Sequence, residues 1–141
     1  MDAAKAEGKA VRGMVVINPG NPTGQCLTLK DLQFVVKFCV ENHILLMADE
    51  VYQPNVYQEE CQFLSMHKVA LDMGAPYSTS LELISFHTIS KGQYGECGLR
   101  GGYMQTMNIH DGTVAAMNKV ASVNLCPNTM GQVCLLSLCF Q

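Results

Sequence analysis

The sequence predicts an α/β layer fold, with a mixed, mostly parallel sheet between helices. Three observations carry that reading. Short apolar runs alternate with stretches of helical periodicity in the order strand, helix, strand, helix, strand. The first three apolar runs each end in a polar loop, at Asn18 to Asn21, at Asp49 and at Lys91. Ligands of such sheets sit beyond the carboxyl ends of the strands, so these polar positions are expected along one sheet edge.

Met14-Val15-Val16-Ile17, bounded by Gly13 and Asn18-Pro19-Gly20, is the first strand and is expected to be buried. The loop from Asn18 to Gly24 holds two prolines and two glycines, a combination that fixes side chains while removing bulk around them. Thr28-Leu29-Lys30-Asp31 matches a capping pattern, hydroxyl first and carboxylate three residues on. Leu29, Leu32, Val36, Cys39 and Val40 then recur at helical spacing through about Asn42. Ile44 to Met47 is a second buried strand, running into Ala48-Asp49-Glu50. After a loop from Tyr52 to Gln58, the residues Phe63, Leu64, Val69, Ala70 and Met73 predict a helix ended by Gly74-Ala75-Pro76. The third strand spans about Leu81 to Thr88 and the fourth Gly101 to Thr106. Two more helices are predicted, over Asp111 to Ser122 and from about Asn128 onward.

Composition bears on the context of this sheet. The chain is 48% hydrophobic and only 15% charged, against about 25% charged in ordinary globular domains. That deficit points to the interior of a larger protein. The end of the chain stops inside the apolar run from Cys134 to Phe140. The expectation is a central fragment: a short polar lead-in over 1–12, then a partial domain over 13–141, truncated at both ends. The net charge of −3 and the scattered basic residues give no reason to expect a nucleic acid or an anionic membrane as partner. No apolar run approaches the roughly 18 residues of a membrane span. An intracellular, cytoplasmic setting is expected first, with a mitochondrial or peroxisomal address invisible in a fragment. The seven cysteines are odd in number and none is spaced C-x-x-C, so buried free thiols are expected rather than a zinc site. His43, His67, His87 and His110 are isolated and are not expected to ligate metal.

The chemistry concentrates on Thr88-Ile89-Ser90-Lys91-Gly92, continued through Gly95 to Tyr103. A lysine at the end of a buried strand, in a loop that lets backbone approach, is placed for covalent chemistry with a carbonyl. Singly, each piece has a plainer reading: Asn-Pro-Thr-Gly as a turn, Asp49 as a loop carboxylate, Tyr52 as a half-buried aromatic, Lys91 as a surface cation and Arg100 as a partner for Glu96. Together they match the needs of one cofactor, pyridoxal 5′-phosphate. Its pyridinium nitrogen needs a carboxylate, which Asp49 offers, and its phenolic oxygen needs donors, which Asn21 and Tyr52 offer. Its aldehyde needs an amine, Lys91, and its phosphate a guanidinium fork with hydroxyls, Arg100 with Ser90 and Thr88.

At these residues the chain resembles the fold-type I pyridoxal-phosphate aminotransferases, in which an Asn-Pro-x-Gly loop, an Asp-x-x-Tyr step and a Ser-x-Ser-Lys…Arg loop follow in order. The matching segments are Asn21-Pro22-Thr23-Gly24, Asp49-Glu50-Val51-Tyr52 and Thr88-Ile89-Ser90-Lys91…Arg100. The finer resemblance is to the alanine aminotransferase branch, which includes glutamate:glyoxylate aminotransferases. It rests on Asn18 to Gln25, Ala48 to Gln53, Ser90 to Tyr103 and Val120 to Cys126, with a nine-residue step from Lys91 to Arg100. Thr88 departs from the usual serine but keeps the hydroxyl. The resemblance implies part of the large domain of such an enzyme, with Lys91 as covalent anchor and proton carrier and a cis bond at Asn21–Pro22. It implies small-molecule amino acid and 2-oxo acid substrates, with alanine as donor, 2-oxoglutarate as acceptor and glyoxylate as a possible second acceptor. It also implies a homodimer when full length, and parts outside this chain that stack on the ring and grip the substrate carboxylate. The chain alone is therefore expected to be inactive or nearly so. Two alternatives stay open: a truncated, non-catalytic product, and different chemistry on the same cofactor, such as a lyase.

Overall fold

The computed structural model describes residues 1–92 and 94–139, with backbone alone at 138 and 139. Four strands form one sheet in the order β1 (Gly13–Ile17), β2 (Leu45–Asp49), β3 (Leu83–Thr88), β4 (Gly102–Met107). The first three run parallel and β4 returns antiparallel. Register pairing aligns Ile17 with Asp49, Asp49 with Phe86 and Phe86 with Met104, so this row of side chains shares one face. Because β1 to β3 are adjacent and parallel, their carboxyl ends lie side by side, as the order of motifs predicts.

Helix α1 (Asp2–Ala6) falls in the lead-in, where no helix is predicted. Helix α2 (Leu29–Asn42) starts where its capping pattern places it. Thr28 Oγ1 accepts from the Asp31 amide at 3.3 Å, and an Asp31 carboxylate oxygen accepts from the Thr28 amide at 3.1 Å. The Thr28 hydroxyl also donates to that carboxylate at 2.6 Å, and this bond first, then the one from the Thr28 amide, holds the Asp31 carboxyl below its ordinary range. His43 closes the helix in the left-handed region at φ 52°. Helix α3 (Met66–Asp72) begins later than Phe63 and Leu64 suggest, because Ser65 supplies the cap by accepting from the Lys68 amide at 3.2 Å. A short α4 (Tyr77–Ser80), which the sequence pattern does not reveal, follows the cis Ala75–Pro76 bond. Helices α5 (Asp111–Ser122) and α6 (Thr129–Cys139) match their predicted spans.

The core lies on one side of the sheet. Leu32, Val36 and Cys39 of α2, Met66, Val69 and Ala70 of α3, and Leu81 pack against Leu46, Ala48, Leu83 and Met107. Burying a side chain of leucine or valine size contributes about 1.5–3 kcal/mol, so this cluster is what fixes the helices on the sheet. The other face is bare over much of its area. Val15 is 59% exposed, Ile17 43% and Met104 41%. The expectation of a buried first strand is corrected by this: β1 is an edge strand with one uncovered face, and an apolar run alone does not tell one buried face from two. The thiols are corrected as well. The six described cysteine side chains are free, but only Cys39 is buried, while Cys97 and Cys126 are exposed. The Cys139 side chain lies outside the described residues.

Candidate active site

The loop after β1 is closed from within. Asn18, 3% exposed, accepts the Leu27 amide on Oδ1 at 2.8 Å, and the Gly20 amide donates to the Gln25 carbonyl at 2.8 Å. Gly24 takes a positive φ of 68°, which its missing Cβ permits. The Asn21–Pro22 bond is cis, as the resemblance implies, and the Asn18–Pro19 bond is cis as well. This loop carries the exposed Asn21 side chain to the next strand end, where its Nδ2 donates to the Tyr52 hydroxyl at 3.0 Å.

Asp49 is the last residue of β2, half-buried, with its Oδ1 accepting the Val51 amide at 3.4 Å. Strand alternation sends Asp49 to the bare face and Glu50 to the helix side. Asp49 lines an open concavity of about 590 Å³ on the bare face, together with Val15, Met47, Phe86, Thr88 and Met104. Small-molecule sites generally measure about 300–1,000 Å³.

The lysine loop starts at Thr88, whose hydroxyl donates to the Gly101 carbonyl at 2.8 Å. Ser90 Oγ lies 3.0 Å from that hydroxyl, and the Ser90 amide donates to it at 3.2 Å. Because Thr88 spends its one proton on the carbonyl, Ser90 Oγ is the donor between the two hydroxyls. Lys91 ends a short 3-10 turn (Ile89–Lys91), is exposed, and places its Nζ 5.6 Å from the centroid of the Tyr52 ring. That is within cation–π range of about 6 Å. Arg100 is exposed, sits in the left-handed region at φ 53°, and donates from Nη1 to the Cys97 carbonyl at 2.9 Å.

The structure therefore brings Asn21, Tyr52 and Lys91 into one cluster, pairs Thr88 with Ser90, and sets Asp49 and Thr88 on the same concavity. The Arg100 guanidinium rests on its own loop, at Cys97.

Three supporting residues escape the motif reading. Glu50, 7% exposed, accepts the Met66 amide on Oε1 at 2.6 Å and so clamps the far end of the loop bearing Tyr52. Burial raises the Glu50 carboxyl above its ordinary range, with the Met66 hydrogen bond opposing. His87 lies behind it. Burial lowers its imidazole below the usual value, the contact with the Glu50 carbonyl opposing, and Nδ1 lies 3.3 Å from that carbonyl. A carbonyl only accepts, so Nδ1 carries the proton. Gly131 of α6 is the third: a Cβ there would meet the Leu99 and Arg100 carbonyls at 2.7 Å, so backbone packs on backbone behind the arginine loop. The signals were available, in strand alternation for Glu50 and in a glycine inside a helical pattern for Gly131.

A carboxyl raised on folding contributes its full stability below the unfolded value and loses it as pH rises through the folded value. Glu50→Gln keeps an acceptor for the Met66 amide and removes the charge. Its thermal midpoint is expected above that of the parent at pH 8, with the gap closing in acid; scans at the two pH values check this.

Residues 1–139 match the family model of aminotransferase class I and II. The chain is 52% identical over 130 residues to glutamate–glyoxylate aminotransferase 2 of Arabidopsis thaliana, covering 92% of this chain and 27% of that protein. It is 52% identical over 124 residues to alanine aminotransferase 1 of Bos taurus, covering 88% of this chain and 25% of that protein. Among solved structures, the alanine aminotransferase of Pyrococcus furiosus superposes with a TM-score of 0.71 at 26% identity, over 90% of this chain and 31% of that one. The chain thus spans about a quarter of the length of these curated relatives. A family model matched from end to end of the described residues, on a sheet whose strand ends carry its motifs in order, makes this chain a member of the class I and II aminotransferases.

Proposed function

We propose that this chain is the cofactor-holding part of the large domain of a pyridoxal-phosphate aminotransferase. The reaction moves the amino group of alanine to 2-oxoglutarate, giving pyruvate and glutamate, with glyoxylate as a further acceptor. The single observation that carries this is the meeting of Asn21, Tyr52 and Lys91 at adjacent strand ends, beside Asp49. The relatives at 52% identity support the choice of substrates, by their names as alanine and glutamate–glyoxylate aminotransferases.

The residues present fit the cofactor. The concavity has the volume and is lined by the Asp49 carboxylate and by Thr88; Ser90, paired with Thr88, and the Lys91 amine follow in the adjoining loop. When bound, pyridoxal phosphate supplies an electron-withdrawing ring that stabilises negative charge at the substrate Cα. The chain supplies the rest. Lys91 Nζ would be the covalent attachment and, once displaced, the base that carries the proton from the substrate Cα to the C4′ carbon of the cofactor. The Tyr52 ring holds that amine in reach, and Asn21 fixes the Tyr52 hydroxyl. Asp49 would be the carboxylate that meets the ring nitrogen. Thr88, Ser90 and Arg100 would hold the phosphate by charge-assisted hydrogen bonds, after the hydroxyl protons and the guanidinium turn from the partners they bond here.

The same reading includes a homodimer, supported by the bare apolar face at Val15, Ile17 and Met104. It includes an intracellular, reducing setting, supported by the six free thiols. No helix among the described residues is long and apolar enough to cross a membrane. A coupled assay of pyruvate formation from alanine and 2-oxoglutarate, run on the full-length protein with cofactor supplied, tests the activity. Pyruvate release is expected. Ammonia release without glutamate formation would instead indicate a lyase. A second reading is a chain that holds the cofactor without turning substrate over. Covalent cofactor with no pyruvate would select it.

A further inference from the structure

We propose that the polar cavity shared by Glu50 and Ser85 binds a small monocation with N–H donors, an ammonium ion or a short primary ammonium compound. The cavity measures about 160 Å³ and lies between the sheet and the start of α3. Strand alternation turns Ser85 and His87 of β3, with their partners Gln105 and Tyr103 of β4, to the side of the core residue Met107. Glu50 faces that side too, so the cavity lies across the sheet from Asp49, with His87 and Tyr103 bordering both hollows. Two buried groups there lack what they need. Ser85 is 7% exposed, and its Oγ is buried with no partner among the described residues, which is costly for a hydroxyl. Glu50 is equally buried, and the hydrogen bond given to its carboxylate comes from the Met66 amide. Neither ion pair among the described residues includes it, and none of the described lysines or arginines lines the cavity. A buried carboxylate of this kind calls for a cation.

The walls select which cation. Gln53 and Gln105 offer carbonyl oxygens, and Ser85 a hydroxyl oxygen. His87 keeps its proton on Nδ1, 3.3 Å from the Glu50 carbonyl, which leaves Nε2 a lone pair. Oxygen and imidazole acceptors together suit an N–H donor, whereas a hard alkali ion gains little from imidazole. A divalent metal lacks its donors, since no group of three or more His, Cys, Asp or Glu among the described residues could hold one. The volume exceeds the roughly 30 Å³ share of one water and leaves room for a short alkyl group. Gln105 is exposed and marks the way in. The titratable groups around the site are Glu50, His67, His87 and Tyr103. Burial raises the Glu50 carboxyl, so a proton competes for it in acid and binding is expected to weaken as pH falls.

The test is thermal unfolding of the full-length protein in ammonium, methylammonium, tetramethylammonium and potassium chloride at equal ionic strength, near neutral pH. Ammonium and methylammonium are expected to raise the midpoint saturably, by roughly 2–4 °C above the other two salts. Tetramethylammonium carries the charge without an N–H, and so isolates the donors. Glu50→Gln removes the charge while keeping an acceptor for the Met66 amide, and is expected to lose the rise. Ser85→Ala is expected to weaken the apparent affinity several-fold. Asp49→Asn, across the sheet, is expected to keep the rise. The proposal is overturned if the four salts act alike, if potassium matches ammonium, or if no salt raises the midpoint and the cavity holds water alone. It is equally overturned if the rise survives Glu50→Gln or vanishes in Asp49→Asn, since the ligand then sits elsewhere. The comparison of salts on the parent protein decides the matter even where a variant fails to fold. None of these readouts involves the cofactor or turnover, so failure here leaves the proposed function standing.

Discussion

In the full-length protein, Lys91→Ala is expected to abolish covalent capture of pyridoxal phosphate and to lower transamination by roughly 10⁴-fold or more, since one side chain serves as both nucleophile and proton carrier. The fold should not register the change. Lys91 is exposed, and the 3-10 turn it ends is held by the Gly92 amide on the Ile89 carbonyl and by the Thr88 cap, neither of which uses the lysine side chain. The measurement is therefore a pair: turnover and cofactor absorbance collapse, while the thermal midpoint stays where it was. Loss of the midpoint together with activity would mean that the lysine supports the loop instead.

Asp49→Asn is expected to leave the cofactor attached and to cut turnover by roughly 10²–10³-fold, the scale of removing one preorganised electrostatic partner. Asparagine is nearly isosteric and still offers an oxygen to the Val51 amide, so the turn after β2 is kept. The β2 ladder to Ile17 and Phe86 runs through backbone and is indifferent to the side chain. Only the negative charge is lost. Steady-state kinetics with alanine should show the fall in kcat, with KM changed far less. An equal fall in binding and turnover would place Asp49 against the substrate and not at the ring nitrogen.

Why these two positions stood out in the sequence, and others did not, has a physical basis. A motif is legible when local chemistry is specific. Thr28 with Asp31 satisfies helix amides by itself, so α2 begins where the pattern says. Asn21, Asp49 and Lys91 each follow a short apolar run, and adjacent parallel strands then bring their ends together. What could not be read depends on the third dimension. The apolar run of β1 gives no sign that Val15 and Ile17 face open space. Strand alternation sends Glu50 to the helix side, but not its partner: Met66 arrives from sixteen residues on to donate its amide. Arg100 follows Lys91 at the spacing of a phosphate ligand, yet its guanidinium settles on the Cys97 carbonyl, a choice made by the loop's own turn. The late start of α3 came from a serine cap, which outweighed the apolar spacing of Phe63 and Leu64.

The central claim is that these strand ends hold pyridoxal phosphate through Lys91. Sodium borohydride reduction of the cofactor-loaded protein, followed by peptide mass mapping, tests it most directly. The account expects one reduced pyridoxyl group per chain, on the peptide containing Ser90-Lys91-Gly92, and none at Lys30, Lys37, Lys68 or Lys119. A modification spread over several lysines, or one confined to a lysine other than Lys91, would contradict it.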